Sequence, residues 1–225
     1  MNTWVWGPPA WRVLHTLSGK VSAAGASSDF ERVLDSLRGA LPCVFCRNSW
    51  SRFLMQERGV SDPVQKVFNL HSRVSDKLNR QHWEKSGATG RYVAPRAPTL
   101  SCIRVKLRTT MRRVCQQDVW SHLEIFAHGS ALHEGGRLAF ADYCESLGSA
   151  LAKCGQDRLG PSVRGISLTA RAIGDEGWTT SRAIGVVFEA QKVGQSGRES
   201  AEDFREILSC VSSVRAGRCA EGSCE

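Results

Sequence analysis

The 225-residue sequence has no run approaching the roughly 18 consecutive apolar residues that a membrane-spanning helix requires. No membrane is therefore expected among its partners. Its first residues, Met1 to Trp11, lack a basic segment and a continuous apolar stretch, so no secretory signal is expected. There is no internal repeat. Acidic residues are scarce in the first half: residues 1–115 carry 19 basic and 7 acidic side chains, and none of the acidic ones lies between Arg91 and Gln117. Residues 116–225 carry 11 basic and 15 acidic side chains. This asymmetry divides the chain into two expected units, 1–115 and 116–225. Beyond Tyr92 no aromatic residue interleaves the basic run Arg91–Arg113, so that run reads as solvated surface rather than a nucleic-acid site. Hydrophobic residues at 41% and charged residues at 23% are ordinary for a globular chain and exclude wholesale disorder.

What the sequence does have is cysteine, nine in all. Structural disulfides are rare in reducing compartments, so such a count without a secretory signal points to metal, redox catalysis or an oxidising location. An odd number also leaves one thiol unpaired within the chain or paired between chains.

The apolar pattern is mainly helical. Pro8 and Pro9 precede Trp11, Leu14, His15 and Leu17 at helical spacing, and proline suits a first turn. Ser28 with Glu31 predicts a capping box for a second helix along Phe30, Val33, Leu34 and Leu37, ended by Gly39. Pro42 predicts the start of a third, with Cys43, Cys46, Trp50, Phe53 and Leu54 on one side. A fourth starts near Asp62-Pro63 and carries Val64, Val67, His71, Val74 and Leu78. Residues 79–98, with Gly87, Gly90, Pro95 and Pro98, read as a loop, and 99–115 as a short fifth helix. Further helices are expected at Val119–Phe126, Leu138–Cys154 and from Ser200, where Phe204, Ile207, Leu208 and Val211 share a face. Ala183–Ala190 is readable as strand or helix. The expected fold is an antiparallel four-helix bundle with a short fifth helix, followed by a mostly helical C-terminal extension.

Chemistry concentrates in the first third. Cys43-Val44-Phe45-Cys46 is a Cys-x-x-Cys pair at a predicted helix N-terminus, where orphan N–H groups and the helix dipole stabilise a thiolate. Zinc would need two more Cys or His at ligand spacing, and no second knuckle of that kind is present, so no metal site is predicted. A thioredoxin-like site would need a preceding strand, whereas a helix precedes. A redox pair within a helical bundle remains. Gly7, Trp11 and His15 fall at Gly-x-x-x-Trp-x-x-x-His spacing, and His71, Val74 and Leu78 lie along the fourth helix. Taken singly, Trp11 reads as core and each histidine as a satisfied helix histidine.

Together, Trp-Gly-Pro-Pro-Ala-Trp-Arg-Val-Leu-His, Leu-Pro-Cys-Val-Phe-Cys-Arg-Asn-Ser-Trp and His71–Leu78 resemble the Erv/ALR family of flavin-dependent sulfhydryl oxidases, in the family's order and spacing, over residues 4–78. The resemblance implies an FAD-binding four-helix bundle, a homodimer, and FAD contacts from Gly7, Trp11, His15, His71, Val74, Ser75 and Leu78. It implies Cys46 as the flavin-proximal sulfur and Cys43 as the one exchanging with thiol-bearing protein substrates. Electrons would pass to O₂, giving H₂O₂. The sequence departs from the family in two ways. Ser72 and Ser75 stand where the family has Asn, and Phe68 and Lys85 stand where it has a structural disulfide. Cys102 and Cys115 are candidates for a substitute staple. The divergence and the unmatched C-terminal half resemble versions carried by large DNA viruses. Those act in the cytosol, the location favoured here (including a virus factory or virion), although other members occupy oxidising organelles. Cys219 and Cys224, in the tail beyond the last predicted helix, suit the family's shuttle disulfide. Cys144, Cys154 and Cys210 read as structural or buried thiols. The alternative function is a catalytically degenerate scaffold on the same fold.

Overall fold

The computed structural model describes residues 3–87, 89–94, 99–109 and 114–196. The helix expected from Ser200, Cys210 and the Cys219/Cys224 pair lie outside the described residues. The described chain is mainly helical, with no strand among those residues. Its helices are α1 (Thr3–Ala24), α2 (Ser27–Ala40), α3 (Val44–Gln56), α4 (Pro63–Lys85), α5 (Leu100–Thr109), α6 (Gln116–Ser130), α7 (Gly136–Lys153), α8 (Leu159–Ala172) and α9 (Thr180–Ser196).

Local chemistry explains several helix starts. Asp62 caps α4, its carboxylate accepting the Val64 N–H at 2.9 Å, and Pro63 occupies the first turn where a missing N–H costs nothing. Cys43 caps α3 in an extended conformation, its Sγ accepting the Cys46 N–H at 3.3 Å. Other expectations need correction. Pro8 and Pro9 lie inside α1, which begins at Thr3. The Ser28/Glu31 capping box does not form: α2 follows Ala26 with no side-chain cap, and Glu31 instead accepts the buried Lys66 ammonium at 2.5 Å. Gly39 does not end α2, which runs to Ala40. It lets α7 approach: a Cβ there would lie 2.6 Å from the Ala139 Cβ. The expected loop at 79–98 starts later, because α4 continues to Lys85 with a solvated face and no apolar period. Trp83 and Arg80 on that extension hold the Tyr92 ring, at 6.1 Å between centroids and 5.2 Å from the guanidinium. Ala183–Ala190 is helical, within α9, with Ala183, Val186, Val187 and Ala190 buried.

The sequence has no repeat, yet one pattern of neighbours occurs twice. In the first half α1 and α3 each lie against α2 and α4; in the second, α6 and α8 each lie against α7 and α9. The halves meet like with like, α1 on α6 and α2 on α7. A continuous hydrophobic core runs through both, from Leu17, Phe30 and Leu34 to Phe126, Phe140 and Leu147. Two ion pairs tie the seam. Arg12 of α1 grips Asp118 of α6 through two nitrogens at 2.5 and 2.9 Å, and Lys153 of α7 reaches the buried Asp29 of α2 at 2.6 Å.

At the seam, Gly129 of α6 abuts the turn before Cys43: a Cβ there would lie 2.4 Å from the Pro42 Cβ and 2.7 Å from its Cα. Gly129→Val must therefore push the two backbones apart, with an expected stability loss of about 1–3 kcal/mol. Urea denaturation checks this, and an unchanged midpoint would refute the close contact.

Candidate active site

Three helices deliver the predicted residues to one place. Along α1, Gly7, Trp11 and His15 recur every four residues and share a stripe. On α4, His71, Val74, Ser75 and Leu78 do the same. All seven line a cavity of about 450 Å³, and so does Cys46 from the first turn of α3. Cys43 is outside that lining, one helical turn nearer the α3 N-terminus. Ser72 is not in the lining either. Its hydroxyl donates to the Phe68 carbonyl at 2.9 Å, bonding back to its own helix.

The cavity walls are flat and aromatic. Trp11 stacks on His71 with ring centroids 4.3 Å apart and planes 13° from parallel, and lies 5.9 Å from Trp50. His15 Nε2 and His71 Nδ1 are 2.9 Å apart and share one proton. Burial, with His71 close by, drops the His15 pKa to about 4, and burial also lowers that of His71. Both rings are neutral near pH 7. Two buried nitrogens on the wall, Trp6 Nε1 and His15 Nδ1, have no hydrogen-bond partner among the described residues. Buried polar atoms are seldom left so, and these fit the polar edge of a planar ligand. A Cβ on Gly7 would meet nothing within 4 Å, so a side chain there would occupy cavity space.

The two sulfurs differ sharply. Burial opposes ionisation of Cys43, but the Cys46 thiol and the Cys46 and Phe45 backbone N–H groups outweigh it, and its pKa falls below the ordinary thiol value. Cys46 is pushed up to about 12, by burial first and then by its hydrogen bond to Cys43 and the charge there. Lys77, a cation acting against that rise, is also in the lining, its Nζ 2.5 Å from Ser49 Oγ.

Sequence reasoning missed the cavity floor. Trp6 packs edge-on against Phe126 at 5.6 Å, and Phe126 and Tyr143 come from α6 and α7 in the unmatched half. Behind Tyr143 sits His122, fully buried. Its Nδ1 faces the Asp118 carbonyl at 2.8 Å and so carries the proton, which leaves Nε2 to accept the Tyr143 hydroxyl at 3.0 Å. No local pattern pointed to Phe126 as part of the floor, because its contact with Trp6 spans 120 positions.

Burial holds the His122 pKa down to about 4. Between that value and the unfolded value of about 6.5, the unfolded chain binds more protons than the folded one, so stability falls as pH falls. His15 behaves alike. Lowering pH from about 7 to about 5 is expected to cost roughly 2 kcal/mol for each of these histidines. His122→Gln should flatten the pH dependence of the urea midpoint; an unaltered slope would refute the assignment.

The other cysteines differ in setting. Cys144 is fully buried, and burial raises its pKa; Cys154 is half-buried and raised likewise. Cys102 in α5 and Cys115 at the start of α6 are free and exposed, with no disulfide joining them as the expected staple, and Cys43 and Cys46 are likewise free thiols. No helix among the described residues is long and apolar enough to cross a membrane, and no metal-holding cluster of His, Cys, Asp or Glu occurs among them. Comparison with protein-family models, with curated proteins and with solved structures finds no match.

Proposed function

We propose that this chain is an FAD-dependent thiol oxidase that forms disulfides in substrate proteins, built on an Erv/ALR-like four-helix bundle of α1–α4 with α5 as its short fifth helix. The observation that carries the reading is the convergence of all seven expected cofactor residues with Cys46 on one cavity. The residues fit a flavin: flat aromatic walls, two unpartnered buried nitrogens and open space at Gly7. The chemistry FAD supplies when bound is acceptance of two electrons from the Cys43–Cys46 dithiol and their delivery to O₂ as H₂O₂.

The protein's part is thiol–disulfide exchange. A substrate thiolate attacks Cys43 Sγ of the Cys43–Cys46 disulfide, and that bond's electron pair leaves on Cys46. A second substrate thiolate attacks the first substrate sulfur, forming the substrate disulfide and releasing Cys43 as a thiolate. The capped position of Cys43 favours that departure, since thiols of lower pKa leave faster. The neutral His15–His71 pair and Trp11 shape an uncharged wall of the cavity that Cys46 also lines. The homodimer, the viral and cytosolic setting and the Cys219/Cys224 shuttle follow from the resemblance and belong to this proposal. One observation favours the scaffold alternative: Ser72 is turned away from the cavity.

The test is to purify the full chain, record its visible spectrum and follow oxygen consumption with dithiothreitol. Flavin absorption with thiol-dependent oxygen uptake supports the oxidase. A colourless protein that FAD does not reconstitute overturns it.

A further inference from the structure

In the exchange just described, the first step releases charge onto a sulfur that its surroundings disfavour. Cys46 is half-buried against the core, and its own N–H is shared between the Cys43 carbonyl and Cys43 Sγ. While Cys43 is a thiolate, that anion holds Cys46 protonated. Once Cys43 is tied up in a mixed disulfide its charge is gone, and burial alone opposes the Cys46 thiolate. A cation beside Cys46 then decides how readily that sulfur leaves.

The charged and titratable groups facing Cys46 can be taken element by element. From α3 itself there are Cys43 and Arg47, and the Arg47 guanidinium donates to the Leu41 carbonyl at 2.8 Å. From α1 come His15, which is neutral, and Arg12, which is neutralised by Asp118. The α2 wall is apolar, with Leu37 and Leu41. The floor brings Tyr143, whose hydroxyl is engaged by His122 and whose ionisation burial opposes. From α4 come His71, also neutral, and Lys77, and the charge of the chain's amino terminus favours the Cys46 thiolate too, though less than Lys77 does. Lys77 is held in place: its ammonium contacts Ser49 Oγ at 2.5 Å, and Ser49 is three residues, about one turn, beyond Cys46 on α3. That Ser49 Oγ in turn donates to the Phe45 carbonyl at 2.8 Å, so the anchor is fixed to the Cys-x-x-Cys turn.

We propose that Lys77 is a positioning residue for the redox pair: anchored by Ser49, its ammonium stabilises the Cys46 thiolate that departs when a substrate thiolate attacks Cys43. No additional reactant is involved. The S–S electron pair goes to Cys46 sulfur, the new bond joins substrate sulfur to Cys43, and Lys77 keeps its proton throughout. The inference rests on Cys43 and Cys46 being the exchanging pair, and it holds whether or not a flavin is bound.

The experiment uses full-length Cys43→Ser, which removes the competing thiolate. The rate at which iodoacetamide alkylates Cys46 is followed against pH by mass spectrometry of the peptide containing it. Adding Lys77→Met should move the midpoint up by about one pH unit, roughly a tenfold loss of alkylation rate at a fixed pH below it. Lys77→Arg should restore the midpoint, which a merely structural role would not require. Ser49→Ala, a small change outside the charge itself, should shift it partway. Identical midpoints in the parent, Lys77→Met and Lys77→Arg backgrounds would overturn the proposal. A shifted midpoint in a colourless protein would sustain Lys77 while sinking the oxidase. A yellow, active wild type with no shift would do the reverse.

Discussion

Cys46→Ser is expected to abolish thiol oxidation, by on the order of a thousandfold or more, while leaving flavin content unchanged. The serine oxygen fills the space of the sulfur in the cavity wall, so the fold and the aromatic pocket are kept. What is lost is the disulfide partner of Cys43, without which a substrate thiolate has nothing to attack. Cys43→Ser should be equally inactive, and the two variants separate by reactivity. Cys43, capping α3 with lowered pKa, should be alkylated quickly near neutral pH in Cys46→Ser. Cys46, half-buried and beside neutral histidines, should react slowly in Cys43→Ser. Oxygen consumption with dithiothreitol, paired with the alkylation rates, reads both. Retained turnover in Cys46→Ser, or a faster Cys46 than Cys43, would mean that the sulfurs are assigned the wrong way round.

Trp11→Ala is expected to be the most damaging change on the cavity wall. Trp11 is half-buried, stacks on His71 and packs against Trp50, so truncation leaves a void between α1, α3 and α4. Losses for burying nothing where an aromatic stood run to about 3–5 kcal/mol, and partial exposure puts Trp11 near about 3. Flavin should be lost as well, because the removed ring supplies a flat wall. His71, no longer shielded, should titrate closer to an ordinary histidine. Urea denaturation, the flavin-to-protein ratio and histidine NMR titration check the three effects. Trp11→Phe should recover part of each. A stable, fully flavinated Trp11→Ala would remove Trp11 from the site.

Much of this site was legible because its signals are local. The Asp62-Pro63 start of α4 and the Cys43 cap of α3 depend on a few adjacent residues, and helical spacing alone aligns Gly7, Trp11 and His15. Where the reading failed, tertiary partners had claimed the side chains. Glu31 was spent on Lys66 and Asp29 on Lys153 and Arg32, which left α2 without the expected cap. The seven residues of α4 beyond Leu78 show no apolar period because their helix projects from the core, so nothing in the pattern distinguished them from loop. Phe126 and Tyr143 could not be assigned to the cavity from sequence, since only the packing of α6 and α7 on α1 and α2 brings them there.

The like-with-like packing of the two halves bears on how the molecule responds to dilution. The two halves meet through α1 on α6 and α2 on α7, and one chain supplies both sides of that contact. Their association is first order, so it does not weaken as concentration falls, unlike that of separate subunits. The α1 and α2 surfaces so covered are closed to a further copy, and any dimer of this chain must be built on another face. The cavity floor also comes from the half without the Cys-x-x-Cys pair, so cutting the chain between α5 and α6 would open the pocket wherever the halves drift apart. Joining them covalently keeps that floor in place even for a single molecule in isolation.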